Sequence, residues 1–319
     1  MNNKEKYLNF VETVYAPIYS QPWWLDAICL PENWDVWIYD PNGVVCAAMP
    51  YYLEYRNGYK YITKAPLTQN NGIIFRIDSN AKLETRAKFE ERVIDAANDF
   101  IESLKLDVYE QQYHYSFTNW LPFYWHRYTE ITRYTYVVEN TKNLDLIWDN
   151  FSKEYRKNIR KGYRNCKIKE GLDKCLFWEC HKKIFEKQNL ECPFSYELWE
   201  RLYKVTQERN CSKIIYAVDE YDNILSILFL VWDKETVYQL LGGSMPEYQY
   251  LQSYNVLTWE GIKLSAELGK KYDFEGSVIK RISKSMREFG GEPKPYFRIR
   301  KVFNPAIIRE EAEKQIKNI

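Results

Sequence analysis

A repeated order of strands and helices constrains the fold of this chain more than any other feature of its sequence. In each half, hydrophobic alternation and turn signals predict three strands, a helix, a strand, a helix and a closing strand. The two copies are offset by roughly 180 residues, so that Tyr39-Asp40 corresponds to Val218-Asp219. Three antiparallel strands followed by a helix and a crossover strand form a mixed sheet with helices on both faces. We therefore predict an α+β protein of two tandem domains, each a mostly antiparallel mixed sheet flanked by helices; one long α+β domain is the alternative.

The two predicted domains differ in charge. Residues 1–150 carry 14 basic and 20 acidic side chains, whereas residues 151–319 carry 31 and 24. The formal net charge of +1 therefore hides an acidic first half and a basic second half. We place the first domain at residues 1–140 and the second, with a basic helical insert, at residues 141–319. The charge of the second domain predicts an anionic ligand there.

Composition and missing motifs exclude several classes of protein. The longest apolar run, residues 224–232, is about half of the ~20 residues that a membrane-spanning helix needs. The N-terminus lacks the apolar core of a signal peptide, and the seven cysteines contain no C-x-x-C pair. Together these features favour a reduced, cytoplasmic protein without a metal site. The absence of P-loop, G-x-G-x-x-G and G-x-S-x-G motifs argues against kinases, nicotinamide enzymes and serine hydrolases.

A strongly basic helix opens the predicted second domain. The segment from Lys153 to Lys169 carries eight basic residues and one acidic residue, Glu154. At helical spacing, Arg156 and Arg160 fall on one face. Because like charges this close repel one another, a bound pyrophosphate, CoA phosphate or tRNA backbone would stabilise the segment. A solvated basic face, offset by acidic residues elsewhere, is the alternative.

Two later segments offer groups that suit a group-transfer reaction. Gly242 and Gly243 end a strand and open a loop before a helix capped by Ser253, so backbone N–H groups are placed to bind an anion. Asp273 and Glu275 end a crossover strand, where alternation points both carboxylates to one face and either can accept a proton from an attacking amine. The alternatives are an ordinary glycine turn and a structural strand end.

Cations, amides and indoles complete the set of candidates. Arg287 on the next helix and Arg298 on the last strand belong to a second basic cluster, which either stabilises developing charge or covers an exposed helix face. In the first half, the loop around Gln69 and Asn70 is rich in hydrogen-bonding groups. The indoles at positions 23 and 24 either stack on a sugar face or fill the core.

Several segments, in a fixed order, carry a resemblance to a known family. They are QPWWLDA (21–27), PLTQ (66–69), YRKNIRK (155–161), YQLLGG (238–243), YDFEG (272–276) and FGG (289–291). In this order and spacing they resemble the FemABX-type aminoacyltransferases and the related GNAT-like (BioF-like) acyltransferases. YRKNIRK is similar to the Arg-x-x-Ile-x-Lys-Ala helix of that family. The resemblance implies tandem GNAT-like domains, the first on the acceptor side and the second on the donor side.

The resemblance also implies roles for particular residues. The implied donor-binding residues are Arg156, Arg160, Tyr238, Gly242, Gly243, Ser253 and Arg298. The implied acceptor-binding residues are Trp23, Trp24, Gln69 and Asn70. The implied catalytic residues are Glu275, Asp273 and Arg287, with Arg287 standing in for a lysine of the family that this chain lacks. The Arg/Gln-x-x-Gly-x-Gly/Ala run of acetyl-CoA-binding relatives is also absent, a departure that an aminoacyl-tRNA donor tolerates.

We therefore predict an N-acyltransferase or aminoacyltransferase. Its donor is an acyl-CoA, an acyl carrier protein or an aminoacyl-tRNA, used as co-substrate, and no tightly bound cofactor or DNA is expected. Its acceptor is an amino group of a cell-surface precursor: an amino sugar, a sugar nucleotide, a polysaccharide or a peptidoglycan peptide. A lipid-linked acceptor would add a peripheral contact with the membrane. The alternative function is a catalytically inactive GNAT-like protein that binds phosphorylated sugars or RNA.

Overall fold

The contacts of the chain divide it into two compact units. The structure, a computed structural model, describes residues 1–78, 80–187 and 189–317, so residues 318 and 319 of the predicted second domain lie outside it. One unit comprises Met1–Arg133 together with Pro295–Ile319, and the other comprises Tyr134–Lys294.

The described residues form both helices and strands along the whole chain. The helices are α1 (Asn3–Thr13), α2 (Pro22–Cys29), α3 (Leu83–Ser103), α4 (Leu121–Trp125), α5 (Leu144–Asn150), α6 (Lys153–Asn165), α7 (Lys174–Glu186), α8 (Tyr196–Glu208), α9 (Ser253–Glu267), α10 (Lys280–Glu288) and α11 (Pro305–Lys317). The strands are β1 (Trp34–Tyr39), β2 (Ala47–Arg56), β3 (Tyr59–Thr63), β4 (Ile74–Phe75), β5 (Val108–Gln112), β6 (Thr129–Val138), β7 (Lys167–Glu170), β8 (Ser212–Val218), β9 (Ile224–Trp232), β10 (Thr236–Ser244), β11 (Lys271–Asp273) and β12 (Glu292–Val302). Short 3-10 helices span Ile18–Ser20 and Pro246–Leu251. No helix of the described part is long and apolar enough to cross a bilayer.

The sheet of the first unit runs in the order β1-β2-β3-β5-β12, with β4 beside β2. Strands β1 to β3 form an antiparallel meander, β5 is parallel to β3, and β12 is antiparallel to β5. The crossover helix α3 covers this sheet with residues at helical spacing, which include Val93, Ile94, Ala97 and Ile101. Burying each valine or isoleucine side chain stabilises the fold by about 1.5–3 kcal/mol.

The sheet of the second unit runs in the order β6-β11-β10-β9-β8-β7. Strands β8 to β10 again form an antiparallel meander, and β11 is parallel to β10 after the crossover helix α9. Its core gathers buried residues from β8 to β11 and α9, among them Leu228, Val237 and Ile262. Each unit therefore contains a meander, a helix and a parallel crossover strand, which confirms the predicted mixed α+β fold with mostly antiparallel sheets.

The structure differs from the sequence-based description at its weakest patterns. The prediction omits α1, α5, α11, β4 and β7. α1 is marked by a capping box, in which the backbone N–H of Asn2 donates to the Glu5 carboxylate at 2.8 Å and the backbone N–H of Glu5 donates to Asn2 Oδ1 at 2.9 Å. β7 is short and mostly charged, and it forms by pairing with β8. The segment from residue 295 onward lies in the first unit, because β12 pairs with β5 from Arg298 to Val302.

Candidate functional site

In the second unit, β10 and β11 pair over three residues and then separate. Their parallel register joins Thr236 to Lys271 and ends where Tyr238 meets Asp273. β10 continues to Ser244 along β9, whereas β11 stops. In the described residues, β11 thus leaves the edge of β10 beyond Tyr238 uncovered. An extended molecule with amide groups can hydrogen-bond to such an edge as an added strand does.

The chain turns sharply at the point of separation. Glu275 has a φ of 71° and Gly276 a φ of 64°, both in the left-handed region that favours glycine. A Cβ at position 276 would lie 2.3 Å from the carbonyl oxygen of Tyr134, so the turn requires glycine there. The predicted alternation that put Asp273 and Glu275 on one face is wrong, because residue 275 has left the extended conformation. Glu275 is half-buried. Backbone strain of this kind costs on the order of 1–3 kcal/mol and is typical of functional sites, so Glu275 is a candidate functional residue.

Asp273 stabilises the turn through hydrogen bonds to its buried carboxyl group. It is 1% exposed, and its Oδ1 accepts hydrogen bonds from the Thr135 hydroxyl and from the backbone N–H of Glu275, the latter at 2.8 Å. Burial raises the pKa of the Asp273 carboxyl to about 7, against the opposing effect of these two hydrogen bonds. Because its carboxyl is buried, Asp273 acts as a positioning residue for Glu275. The side chain of Glu275 is only half-buried and is the one of the two that a substrate can reach.

A helix N-terminus and a cationic helix meet in the segment that follows β10. α9 begins after Gln252, whose φ is 64°, and no side chain caps its first turn within the described part. α6 crosses this point so closely that a Cβ at Gly162 would lie 2.8 Å from the carbonyl oxygen of Gln252 and 2.4 Å from Val256. Lys161 donates from Nζ to the carbonyl of Tyr250 at 2.9 Å. The positive end of the helix dipole and the charges of α6 therefore favour an anion here.

The predicted donor arginines of α6 make contacts with their own neighbourhood. Arg156 donates from Nη1 to the carbonyl oxygen of Asp149 at 2.8 Å, which caps the end of α5, and its guanidinium lies 3.7 Å from the Asp149 carboxylate. Arg160 is exposed and its guanidinium lies 5.4 Å from the ring centre of Trp148. These contacts offset part of the repulsion predicted from the sequence. Donor binding by Arg156 and Arg160 stays a prediction.

Two predictions about the loop before α9 are wrong in their geometry. Gly242 and Gly243 do not open a loop; they lie in β10, where they pair with Leu228 and Ile227 of β9. Ser253 does not cap α9 but is its first residue, fully buried, and its hydroxyl has no hydrogen-bond partner among the described residues. Donor contacts by these three residues remain predictions.

The other donor and catalytic candidates lie in both units, some buried and some exposed. Tyr238 is buried and donates from its hydroxyl to Asp233 at 2.8 Å, so its backbone, not its ring, reaches the opening. Arg287 is exposed on the last turn of α10. Arg298 lies in the first unit and forms an ion pair of 2.5 Å with Glu110, so the structure does not bring it into the same unit as the other predicted donor residues.

Three of the four acceptor candidates of the first half are buried. Trp24 is fully buried and donates from Nε1 to Thr68 at 3.1 Å, which makes it a core residue. Gln69 and Asn70 are also buried, and the Asn70 amide donates to the Gln69 side chain at 2.9 Å. Trp23 alone of the four is half-buried, with its ring 5.9 Å from that of Trp24. Acceptor binding by these residues stays a prediction.

Sequence reasoning missed a residue that carries polar chemistry inside the first unit. Glu90 is buried on α3, and Asn71, which belongs to the predicted hydrogen-bonding loop of Gln69 and Asn70, is buried as well. A signal for Glu90 was present, because it occupies the helical stripe that continues with Val93 and Ile94. The opening between β10 and β11 had no such signal, since it depends on where two strands stop pairing.

The chain is similar to known proteins in part of its sequence and in its fold. Residues 149–278 match the family model described as acetyltransferase (GNAT) domain. The fold is similar to that of FemX, with 13% identity over 97% of this chain and 98% of FemX and a TM-score of 0.69. It is also similar to L-PGS from Bacillus licheniformis (9% identity, 95% and 92% coverage, TM-score 0.53). A tandem GNAT protein from the clavulanic acid biosynthesis pathway is similar too (10% identity, 93% and 94% coverage, TM-score 0.51). A search of curated proteins found no match.

These findings establish the fold. The chain has a FemABX-like GNAT fold, and residues 149–278, fewer than half of the chain, match the model of the GNAT acetyltransferase domain. GNAT domains use acyl-CoA as co-substrate. The resemblance stated from the sequence is thereby confirmed.

Proposed function

We propose that this protein is an N-acyltransferase whose second unit binds an acyl or aminoacyl donor and delivers the group to an amine. The donor is an acyl thioester, on CoA or an acyl carrier protein, or an aminoacyl-tRNA. The acceptor is an amino group of a cell-surface precursor such as an amino sugar or a peptidoglycan peptide. A cytoplasmic location and an acceptor site on the first unit belong to the same proposal.

The observation that carries the proposal is the separation of β10 from β11 next to the open N-terminus of α9. The uncovered edge of β10 suits the amide groups of an extended thioester arm. The first turn of α9, with Lys161 close by, suits a phosphate. Both features lie on consecutive stretches of one unit, so one donor molecule with a phosphate at one end and an acyl group at the other fits them together.

The chemistry needs one base and one means of stabilising charge. The acceptor amine attacks the donor carbonyl, a C–N bond forms, and the C–S bond of a thioester or the C–O bond of an ester breaks. Glu275 is proposed to accept the proton that the amine loses, and the leaving group takes a proton from solvent. Arg287 is proposed to stabilise the oxyanion that forms in between.

A panel of donors tests the proposal first by thermal shift and then by mass spectrometry of products. The donors are acetyl-CoA, longer acyl-CoAs and a charged tRNA mixture, each with UDP-amino sugars as acceptors. A bound donor is expected to raise the melting temperature by mass action, and product is expected only with the donor that does so. A shift with sugar nucleotides alone, and no product with any donor, would support the inactive binding protein instead.

Replacing Glu275 by Gln tests its role as the base. The amide keeps the size of the side chain but cannot accept the proton, so kcat is expected to fall by about 10²–10⁴-fold with donor binding retained. Glu208→Gln, an exposed substitution at the end of α8, is the matched control and is expected to leave kcat unchanged. Full activity of Glu275→Gln would refute the assignment.

A further inference from the structure

The first unit contains a cavity of about 160 Å³ that the donor site does not use. It lies where the segment after β3, the N-terminal half of α3 and the end of β5 come together. Its lining includes Ser20, Asn71, Phe75, Arg86, Glu90 and Phe117. The volume is roughly ten times the minimum that one water molecule requires, so the cavity has room for a small organic molecule.

The position of the cavity corresponds to that of the proposed donor site in the other unit. There, the site is formed by the segment after the third meander strand β10, the start of α9 and the end of β11. In the first unit the equivalent elements are β3, α3 and β5, and an isolated parallel bridge joins Asn71 to Tyr113. The cavity of the first unit therefore lies at the topological position that the proposed donor site occupies in the second unit, but with different side chains.

Asn71 brings an unused hydrogen-bond donor to this cavity. Gln111 donates from Nε2 to the Pro50 carbonyl at 2.8 Å and accepts from Tyr109 at 2.8 Å, which fixes its amide. The same Nε2 also donates to Asn71 Oδ1 at 3.3 Å. The other polar atom of this side chain, Asn71 Nδ2, is buried and has no hydrogen-bond acceptor among the described residues. A buried polar group without a partner is unfavourable, so a ligand that accepts a hydrogen bond from Asn71 Nδ2 is favoured here.

Glu90 brings an acceptor, and its charge is already balanced. It is 6% exposed, and Arg86 donates from Nε to its Oε1 at 2.7 Å. The ion pair makes this corner electrically neutral, unlike the cationic corner of the second unit, and a phosphate finds no net attraction here. The rings of Phe75 and Phe117 lie parallel, 6.1 Å apart at 10°, and give the cavity an apolar aromatic wall.

We propose that this cavity is a binding site for one monosaccharide ring. A sugar combines hydroxyls that accept from Asn71, hydroxyls that donate to Glu90, and an apolar face that packs against aromatic rings such as Phe117. A sugar without charged groups also suits a cavity in which the charges of Arg86 and Glu90 balance each other. This inference deepens the acceptor site proposed for the first unit and rests on that proposal for the role of the sugar. Binding of a glycoside is measured without any donor, so its failure is distinguishable from a failure of the transfer reaction.

Saturation-transfer NMR on the full chain tests the site with the methyl glycosides of glucose, glucosamine and N-acetylglucosamine. At least one glycoside is expected to receive saturation, and titration then gives its Kd. Inorganic phosphate, followed by its ³¹P linewidth, is expected to show no binding that the glycoside displaces. Glu90→Gln is expected to weaken the glycoside by about tenfold or more, because a hydrogen bond to a charged acceptor is lost.

Two further variants keep the test decisive. Glu84→Gln, exposed on the same helix, is the matched control and is expected to bind as the unchanged protein does. Ser116→Trp places a large side chain at an exposed position of the lining, outside the buried hydrogen-bond network, and is expected to abolish binding even if Glu90→Gln fails to fold. No saturation of any glycoside, or equal binding by Ser116→Trp, would overturn the proposal, as would displacement of the glycoside by phosphate.

Discussion

At the scale of single residues, the second unit concentrates its strain where β11 ends. Asp273 is buried and accepts one hydrogen bond from the Thr135 hydroxyl and one from the backbone N–H of Glu275. Glu275 is left-handed, and the position that follows it has no room for a Cβ. The sequence places both carboxylates at a strand end, and that much is correct. It does not show that one of them turns inward, because alternation fails as soon as φ changes sign.

Asp273→Asn is expected to change how stability depends on pH. Burial raises the pKa of Asp273 from 3.8 to about 7, so the folded protein keeps a proton that the unfolded chain loses. The resulting stabilisation is complete below pH 3.8 and is lost as the pH rises towards 7, by up to about 4 kcal/mol at neutral pH and above. The free energy of unfolding, measured with urea at pH 5 and pH 8, should therefore fall more steeply in the unchanged protein than in the variant. Parallel pH profiles for the two proteins would contradict this.

At the scale of elements, propensity and amphipathic spacing predicted most helices and strands, while pairing decided the rest. α3 and α9 are recognisable because their buried residues follow a helical period. β10 extends through Gly242 and Gly243, residues that usually signal a turn, because β9 supplies partners for both. No local pattern in the sequence contains that information, and the predicted loop was wrong for this reason.

The crossing of α6 over α9 makes a prediction about Gly162. An exposed Gly→Ala change in a helix stabilises it by roughly 1 kcal/mol, but here the added Cβ would collide with the carbonyl of Gln252 and with Val256. We expect Gly162→Ala to lower the free energy of unfolding by about 1–3 kcal/mol and to weaken donor binding, because α6 must move away from the start of α9. Urea unfolding and donor titration measure the two effects.

The exposed Lys157, on the same helix, supplies the control for that experiment. Lys157→Ala preserves helix propensity and removes no packing, so its stability is expected to stay within about 0.5 kcal/mol. If Gly162→Ala were more stable than the unchanged protein, propensity would outweigh packing and the close crossing would be refuted.

At the scale of the whole molecule, the repeat was predictable and the course of the last strands was not. The order of meander, helix and crossover strand can be read from hydrophobic periods, which depend on neighbours along the chain. Pro295–Ile319 returns to the first unit because β12 pairs with β5. The contact between Glu110 of β5 and Arg298 of β12 joins residues that are 188 positions apart. Sequence patterns carry little information about pairing at such separations.

This chain path predicts which fragments fold. Tyr134–Lys294 is continuous and has its own core, so it is expected to melt cooperatively when expressed alone. Met1–Arg133 alone lacks Ile299, which is fully buried in the first core, and leaves the edge of β5 without β12, so it is expected to lose cooperative melting.

Joining Met1–Arg133 to Pro295–Ile319 through a flexible glycine-serine linker should restore cooperative melting. Ile299→Ala in that joined fragment should lower its free energy of unfolding by about 2–5 kcal/mol. Thermal melting followed by circular dichroism measures each case, and cooperative melting of Met1–Arg133 alone at the temperature of the joined fragment would show that β12 is not part of the first fold.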